Sequence, residues 1–105
     1  MKLCVAQTRP HKGKIQANIE KHVSLLELAV ANGVDVIIFP ELSLTGYETE
    51  LAADLATHLD DVRFAVFQHI SNTNQIVIGV GIPTKNEVGT CISMGLFQPH
   101  QARQL

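Results

Sequence analysis

The sequence is short of the residues that mark several functional classes. In 105 residues it has two cysteines, one tyrosine and no tryptophan. Two cysteines, Cys4 and Cys91, are too few for a disulfide framework or a cysteine-rich zinc site. A formal net charge of −2 provides no basic field for nucleic acid or for an anionic membrane surface. We therefore expect no nucleic-acid or membrane partner, no metal and no cofactor.

Long apolar runs are missing as well. Runs such as residues 36–39 are four or five residues long, against the roughly 20 that a membrane-spanning helix needs. The apolar stretch behind Lys2 is too short for a secretory signal peptide. The five histidines include no pair at one- or three-residue separation of the kind that binds a metal ion. These absences favour a cytoplasmic protein in a reducing compartment.

The composition that remains is that of one folded domain. Hydrophobic residues make up 46% of the chain and charged residues 17%, which excludes a disordered tail. Apolar spacing predicts strands at 3–7, 36–39, 76–82 and 91–97, and helices at about 15–31, 51–58 and 59–71. Strands that alternate with helices indicate an α/β fold with a mostly parallel sheet and helices on one face.

Several boundaries can be predicted from local chemistry. Asn32-Gly33 should end the first long helix, and Asp60 or Asp61 should cap the last one. We expect residues 72–74 to break that last helix, Pro83 to close the third strand, and the third and fourth strands to form a hairpin. The second strand is apolar at every position, which is typical of strands covered on both faces. Two or three helices cover only one face, so the other face should need a different cover.

Glu41 follows the second strand at the carboxyl edge of the sheet, where α/β proteins gather their active sites, although a glutamate at such a position is more often a solvated loop residue. It stands in the string Val36-Ile37-Ile38-Phe39-Pro40-Glu41-Leu42-Ser43-Leu44-Thr45-Gly46-Tyr47. With the strand Val5-Ala6-Gln7, the helix around Asn18, Gly33-Val34-Asp35 and Ile76-Val77-Ile78-Gly79, this string resembles the amino-terminal part of the carbon–nitrogen hydrolase (nitrilase) superfamily. The resemblance spans nearly the whole chain.

The resemblance implies half of a four-layer α-β-β-α sandwich and a Glu-Lys-Cys mechanism. Glu41 would be the general base that deprotonates a cysteine thiol, and burial beside the strand would make it a usable base at neutral pH. A lysine ammonium would help to stabilise the negative charge that develops on the substrate. The substrate would be a small non-peptide amide, a carbamoyl compound or a nitrile. Family members often form dimers or larger assemblies, so the resemblance implies a homo-oligomer or association through the sheet face.

Two of the three catalytic groups are not found where the family has them. The family's lysine follows the strand that corresponds to 91–97, but the chain has no lysine after Lys85. Cys4 and Cys91 fall inside predicted strands and are expected to be inert packing residues. We therefore expect residues 1–105 to be a single incomplete domain, the amino-terminal part of such an enzyme, and to be inactive alone.

Two other functions stay open. The chain could be a non-catalytic interaction module that docks a partner or a second copy on its exposed sheet face. A flavodoxin-like nucleotide binder is a weaker alternative, because the sequence lacks a phosphate-binding loop. Tyr47 is a candidate pocket residue or, more simply, a packing anchor. Gly79 and Gly81 are expected to mark close packing or a bulge inside a strand.

Overall fold

The computed structural model describes residues 1–46, 55–58 and 60–105, and these residues build a four-stranded mixed sheet. The strands are β1 (Leu3–Val5), β2 (Val36–Ile38), β3 (Val77–Asn86) and β4 (Gly89–Phe97), in spatial order β1-β2-β3-β4. Strands β1, β2 and β3 run parallel, and β4 pairs antiparallel with β3. The predicted α/β class and the hairpin of the last two strands are confirmed.

Helix α1 (Ile15–Ala31) connects β1 to β2. Its buried residues recur at three- and four-residue steps, as expected for one face of a helix; they are Ile15, Asn18, Ile19, His22, Leu26 and Ala29. The helix ends at Asn32, and Gly33 follows with a φ of 70°, a left-handed conformation that glycine adopts without strain. The predicted end of this helix is confirmed.

Helix α2 (Ala65–Asn74) follows a 3₁₀ turn at Val62–Phe64 and leads into β3. Asp61 caps this turn by accepting a hydrogen bond from the Arg63 backbone N–H, as one of the two predicted caps. Its carboxylate also pairs with the Arg63 guanidinium at 2.6 Å, and the Arg63 hydrogen bonds hold the pKa of Asp61 far below its usual range. The prediction that residues 72–74 break the helix is wrong, because the helix continues to Asn74. The side chains of Asn72 and Asn74 find partners there: Asn74 Nδ2 donates to the Ile70 carbonyl at 3.1 Å, and Asn72 Oδ1 accepts from the His100 N–H at 2.7 Å.

The predicted end of the third strand is also wrong. Strand β3 continues through Pro83 to Asn86, where Lys85 pairs with Thr90. Proline removes one donor, but Pro83 still accepts a hydrogen bond from Thr57 through its carbonyl. Thr57 makes an isolated parallel bridge to Thr84, so the predicted helix 51–58 does not include it. Residues 51–54 and Leu59 lie outside the described residues.

The core lies between the sheet and helices α1 and α2. Alternate residues of β2, β3 and β4 face the helices and belong to one buried cluster with them, including Ile37, Ile78, Val80, Ile82 and Phe97. Phe67 of α2 is fully buried and packs against Phe97, with ring centroids 5.4 Å apart. This layer accounts for the apolar residues on one face of every strand.

The opposite sheet face is apolar, and several of its side chains are left exposed in the described chain. The side chains that alternate with the core residues point there; they are Leu3, Val5, Val36, Ile38, Val77, Ile92, Met94 and Leu96. Leu3, Val5 and Ile92 are 64%, 74% and 46% exposed. We call this set the open face. Within the described residues, helices α1 and α2 therefore cover one face of the sheet only, as predicted.

Among residues 1–46, 55–58 and 60–105, no helix has the length and apolar character needed to cross a lipid bilayer.

Candidate active site

Glu41 lies in the turn that follows β2, at the carboxyl edge of the parallel strands. It is exposed in the described chain, so the burial that the sequence led us to expect is not supplied by these residues. The residues behind it are different: positions 42–46 of the same turn are all buried. The turn therefore presents one carboxylate on an otherwise enclosed backbone.

The backbone of this turn is unusually constrained. Leu42 is fully buried and has a φ of 52°, in the left-handed region that non-glycine residues seldom adopt. Its carbonyl accepts hydrogen bonds from the N–H groups of Thr45 (3.1 Å) and Gly46 (2.9 Å). Conformations of this kind persist only when surrounding contacts enforce them, and they concentrate at functional sites.

One of these contacts is the close approach of the turn to β3 at Gly81. A Cβ on Gly81 would overlap the Pro40 carbonyl oxygen and the Leu42 nitrogen, and would lie 2.9 Å from the Glu41 carbonyl carbon. By strand alternation the missing side chain would point to the open face, so the turn crosses that face at this glycine. The prediction of close packing at Gly81 is confirmed, and the approach places the backbone of Glu41 on the open face.

Asn18 of α1 fixes the far side of the turn. Its side-chain Nδ2 donates to the carbonyl of Leu44 at 2.9 Å and to that of His11 at 2.8 Å. Its Oδ1 accepts from the His11 backbone N–H at 2.6 Å. One fully buried amide therefore ties the helix, the loop after β1 and the Glu41 turn together.

His22, one helical turn further along α1, continues this polar network. The imidazole Nδ1 lies 2.7 Å from the Asn18 carbonyl oxygen, and Nε2 lies 2.8 Å from the Ser43 hydroxyl. Ser43 Oγ also accepts the Gly81 backbone N–H at 3.1 Å. The His22 ring is buried and stacks on Phe39, with centroids 4.1 Å apart.

The partners of His22 assign its tautomer. A carbonyl can only accept, so Nδ1 carries the hydrogen and donates to Asn18, which leaves Nε2 of the neutral ring to accept the Ser43 O–H. Ser43 Oγ then accepts from the Gly81 N–H, and each polar group in this line of hydrogen bonds has a partner. Burial lowers the pKa of His22 from 6.5 to about 4, although the hydrogen bond to Asn18 raises it.

The lowered pKa of His22 predicts that the protein loses stability as the pH falls from about 6.5 to about 4. In this window the unfolded chain binds a proton at His22 and the folded chain does not. The free energy of unfolding therefore falls with each unit by which the pH is lowered. The difference between 6.5 and about 4 corresponds to a loss of about 3 kcal/mol. Urea titrations at several pH values measure this loss.

His22→Gln should flatten that part of the profile, and His69→Gln should not, because His69 is exposed on α2. The Asp61 carboxylate affects stability only at lower pH, because its stabilising contribution is lost below its ordinary pKa of 3.8. A wild-type profile that is flat between pH 6.5 and 4 would contradict the assignment.

A cavity of about 470 Å³ opens at the carboxyl ends of β1 and β2. Gln7, Thr8, Arg9 and Pro40, the residue before Glu41, line it. The hydroxyl of Thr8 is buried and has no hydrogen-bond partner. This recess offers hydrogen-bond donors and acceptors and the cationic side chain of Arg9, which suits a small polar molecule.

The other residues with catalytic potential lie within strands. Cys4 is half-buried in β1 and packs against the core, whereas Cys91 is exposed on β4 and contacts Asn86 Nδ2 at 3.2 Å. The prediction of a packing role therefore holds for Cys4 and is wrong for Cys91. Lys85 is exposed, as expected. Tyr47 lies outside the described residues.

No group of three or more potential metal ligands comes together in the described ranges.

The network of Asn18, His22 and Ser43 was not predicted from the sequence. A signal was present, since Asn18 and His22 are polar residues four apart on the otherwise apolar stripe of α1. Two polar side chains on a buried stripe must find partners, because an unpaired buried polar group is costly. Which partners they find depends on the turn that faces them.

Comparisons with known proteins place the chain in a family. The family model for carbon-nitrogen hydrolases matches residues 2–100. The chain belongs to the carbon–nitrogen hydrolase family, as its resemblance suggested.

The chain is also similar to two glutamine-dependent NAD(+) synthetases. It is 34% identical over 88 residues to the protein of Acinetobacter baylyi and 31% identical over 93 residues to that of Rhodobacter capsulatus. These alignments cover 84% and 85% of the chain but 16% of each relative. The chain thus spans about one sixth of the length of these relatives.

Solved structures share the fold. A carbon–nitrogen hydrolase superfamily protein from Xanthomonas campestris superposes with a TM-score of 0.82 at 22% identity, over 95% of the chain and 38% of that structure. An N-terminal amidase with a bound Gln-Gly peptide gives 0.77 at 24% identity, over 96% and 26%. An amidase from Nesterenkonia gives 0.79 at 18% identity, over 100% and 41%. At these identities the likeness establishes the fold.

Proposed function

We propose that this chain supplies the general base, Glu41, to a hydrolase of non-peptide carbon–nitrogen bonds. The observation that carries the proposal is the turn 40–46, which holds one exposed carboxylate at the carboxyl edge of the sheet on a buried, strained backbone. Membership in the carbon–nitrogen hydrolase family supplies the reaction class. The substrate is a small amide, carbamoyl compound or nitrile, and similarity to glutamine-dependent enzymes favours a side-chain amide among these.

In the proposed reaction Glu41 takes the proton of a cysteine thiol that another stretch of polypeptide provides. The thiolate attacks the amide carbon and forms a carbon–sulfur bond, while the carbonyl electrons move to oxygen, where a lysine ammonium stabilises the charge. As the carbonyl re-forms and the carbon–nitrogen bond breaks, Glu41 returns the proton to the departing ammonia or amine. It then deprotonates the water that cleaves the thioester, which yields the carboxylic acid and the thiol.

The exposure of Glu41 in this chain is consistent with an active site whose other groups come from another stretch of polypeptide. A carboxylate needs a less polar environment to act as a base at neutral pH. The second layer of sheet that the family resemblance implies would lie on the open face, where the Glu41 backbone crosses it. Covering that face would enclose the carboxylate and the apolar residues at the same time.

The test is reconstitution. The chain is mixed with a separately expressed downstream segment that carries the family's lysine and cysteine, and release of ammonia from glutamine and simpler amides is measured. Activity of the mixture, with none from either part, supports the proposal. Stable binding without activity on amides or nitriles would instead support the interaction module, which the open face favours.

The open face also predicts the behaviour of the isolated chain. An uncovered apolar sheet face drives association, so the chain alone is expected to self-associate or to bind an apolar dye such as anilinonaphthalene sulfonate. Sedimentation and dye fluorescence measure the two effects. The double variant Leu3→Ser, Ile92→Ser should reduce both.

Val62→Ser is the matched control for that double variant. Val62 is 85% exposed but lies on the helix side of the sheet, next to α2. It should leave dye binding unchanged. A monomer that binds no dye would count against the half-sandwich arrangement and against homo-oligomers formed through this face.

A further inference from the structure

Contacts with α1 and β3, in addition to its own backbone hydrogen bonds, hold the Glu41 turn in place. Its Leu42 has a left-handed conformation that costs energy for a residue with a side chain, so the turn would relax if its contacts were lost. Two of those contacts run to β3, from the Leu44 N–H to the Gly81 carbonyl at 3.1 Å and from the Gly81 N–H to Ser43 Oγ at 3.1 Å. The second depends on how the Ser43 hydroxyl is oriented.

His22 decides that orientation. A serine hydroxyl can accept from Gly81 while it donates elsewhere, and the acceptor within reach is His22 Nε2 at 2.8 Å. Nε2 is an acceptor only while Nδ1 carries the hydrogen, which the Asn18 carbonyl at 2.7 Å enforces. A single line of hydrogen bonds therefore runs from the Gly81 N–H through Ser43 and His22 to the backbone of α1.

The ring is also fixed in place by packing. It stacks on Phe39 at a centroid distance of 4.1 Å and contacts Phe67 at 6.0 Å with the rings tilted by 58°. Phe39 is the residue just after β2, so the same imidazole touches both the start of the turn and its middle. A leucine at position 22 would fill part of the space but could not orient Ser43.

We propose that His22 is a positioning residue for Glu41: its neutral imidazole, with the hydrogen on Nδ1, holds the turn 40–46 against β3 through Ser43. The role of Glu41 as the base rests on the proposed function above, whereas the anchoring of the turn does not. His22 does not touch the reacting atoms in this proposal. It fixes the backbone from which the carboxylate projects.

The direct test uses the ¹⁵N-labelled chain and needs no activity. Long-range ¹H–¹⁵N spectra of the imidazole should show a protonated Nδ1 and an unprotonated Nε2 for His22 at neutral pH. Amide exchange should be faster in His22→Leu at Leu44 and Gly81, by roughly ten- to hundredfold, because a buried hydrogen-bond network is lost. Val77, whose N–H donates to the Asp35 carbonyl at 2.9 Å at the start of β3, is the internal reference on the same sheet.

A purely structural role for His22 would accelerate exchange at all three amides equally, through global unfolding. Ser43→Ala removes only the hydroxyl and should give the same selective effect if His22→Leu does not fold. His22→Gln, whose side-chain oxygen can accept from Ser43, should restore protection at least in part. Equal acceleration at Val77, or a hydrogen on Nε2 of the wild-type ring, would overturn the proposal.

Activity separates this proposal from the proposed function. If selective exchange is found but Glu41→Gln leaves the reconstituted enzyme fully active, the turn is anchored by His22 and Glu41 is not the base. If Glu41→Gln abolishes activity and exchange is not selective, Glu41 keeps its role and the anchoring by His22 is wrong.

Discussion

Glu41→Gln should lower amide hydrolysis by the reconstituted enzyme by about a thousandfold, the scale of a lost general base. Glutamine keeps the size and polarity of the side chain but cannot take a proton from the cysteine thiol. The loss should appear in kcat, with little change in the association of the two parts, because Glu41 is a single exposed residue on the turn. Steady-state release of ammonia and a binding titration measure the two quantities.

Glu27→Gln is the matched control for this substitution. Glu27 is exposed on α1, in the helix layer that lies on the other side of the sheet from the open face. The same change of charge there should leave hydrolysis unaltered. If Glu41→Gln keeps more than about a tenth of the wild-type rate, a general-base role for Glu41 is wrong.

Gly81→Ala should destabilise the protein by about 3 kcal/mol, near the upper end of the usual cost of overpacking. The added methyl group would overlap backbone atoms of Pro40 and Leu42, and neither backbone can move without breaking the turn. Denaturant titration measures the loss of stability. The variant should also expose the amide of Leu44 to exchange, since its partner is the Gly81 carbonyl.

Gly79→Ala provides the comparison within the same strand. A Cβ there would meet Ile38 Cδ1 at 2.9 Å and Met94 Sδ at 3.1 Å, both at the ends of side chains that can move. We expect a cost of about 1 kcal/mol or less. Equal losses of stability for the two substitutions would show that the turn moves to accommodate the methyl group, and that it is not fixed against β3.

How far the sequence predicts this molecule depends on the range of the interactions involved. The long helix, its end at Asn32-Gly33 and a cap at Asp60 or Asp61 follow from local periodicity and capping; the structure has the helix and its end as predicted and places the cap at Asp61. The break expected at residues 72–74 and the strand end expected at Pro83 were wrong. Local preference for coil there is outweighed by tertiary hydrogen bonds, such as that from the His100 N–H to Asn72 Oδ1 at 2.7 Å.

By itself, the sequence determined the α/β class, the one-sided helix layer and the family resemblance around Glu41, because alternation, helical spacing and a contiguous motif are properties of neighbouring residues. Only the tertiary structure showed that Glu41 is exposed in this chain and that its turn is fixed to α1 and β3. Those facts depend on Asn18, Ser43 and Gly81, which are far apart in the chain and meet only when β2 and β3 pair. The spacing of residue types along the chain does not predict a hydrogen bond between Ser43 and Gly81, which are 38 positions apart.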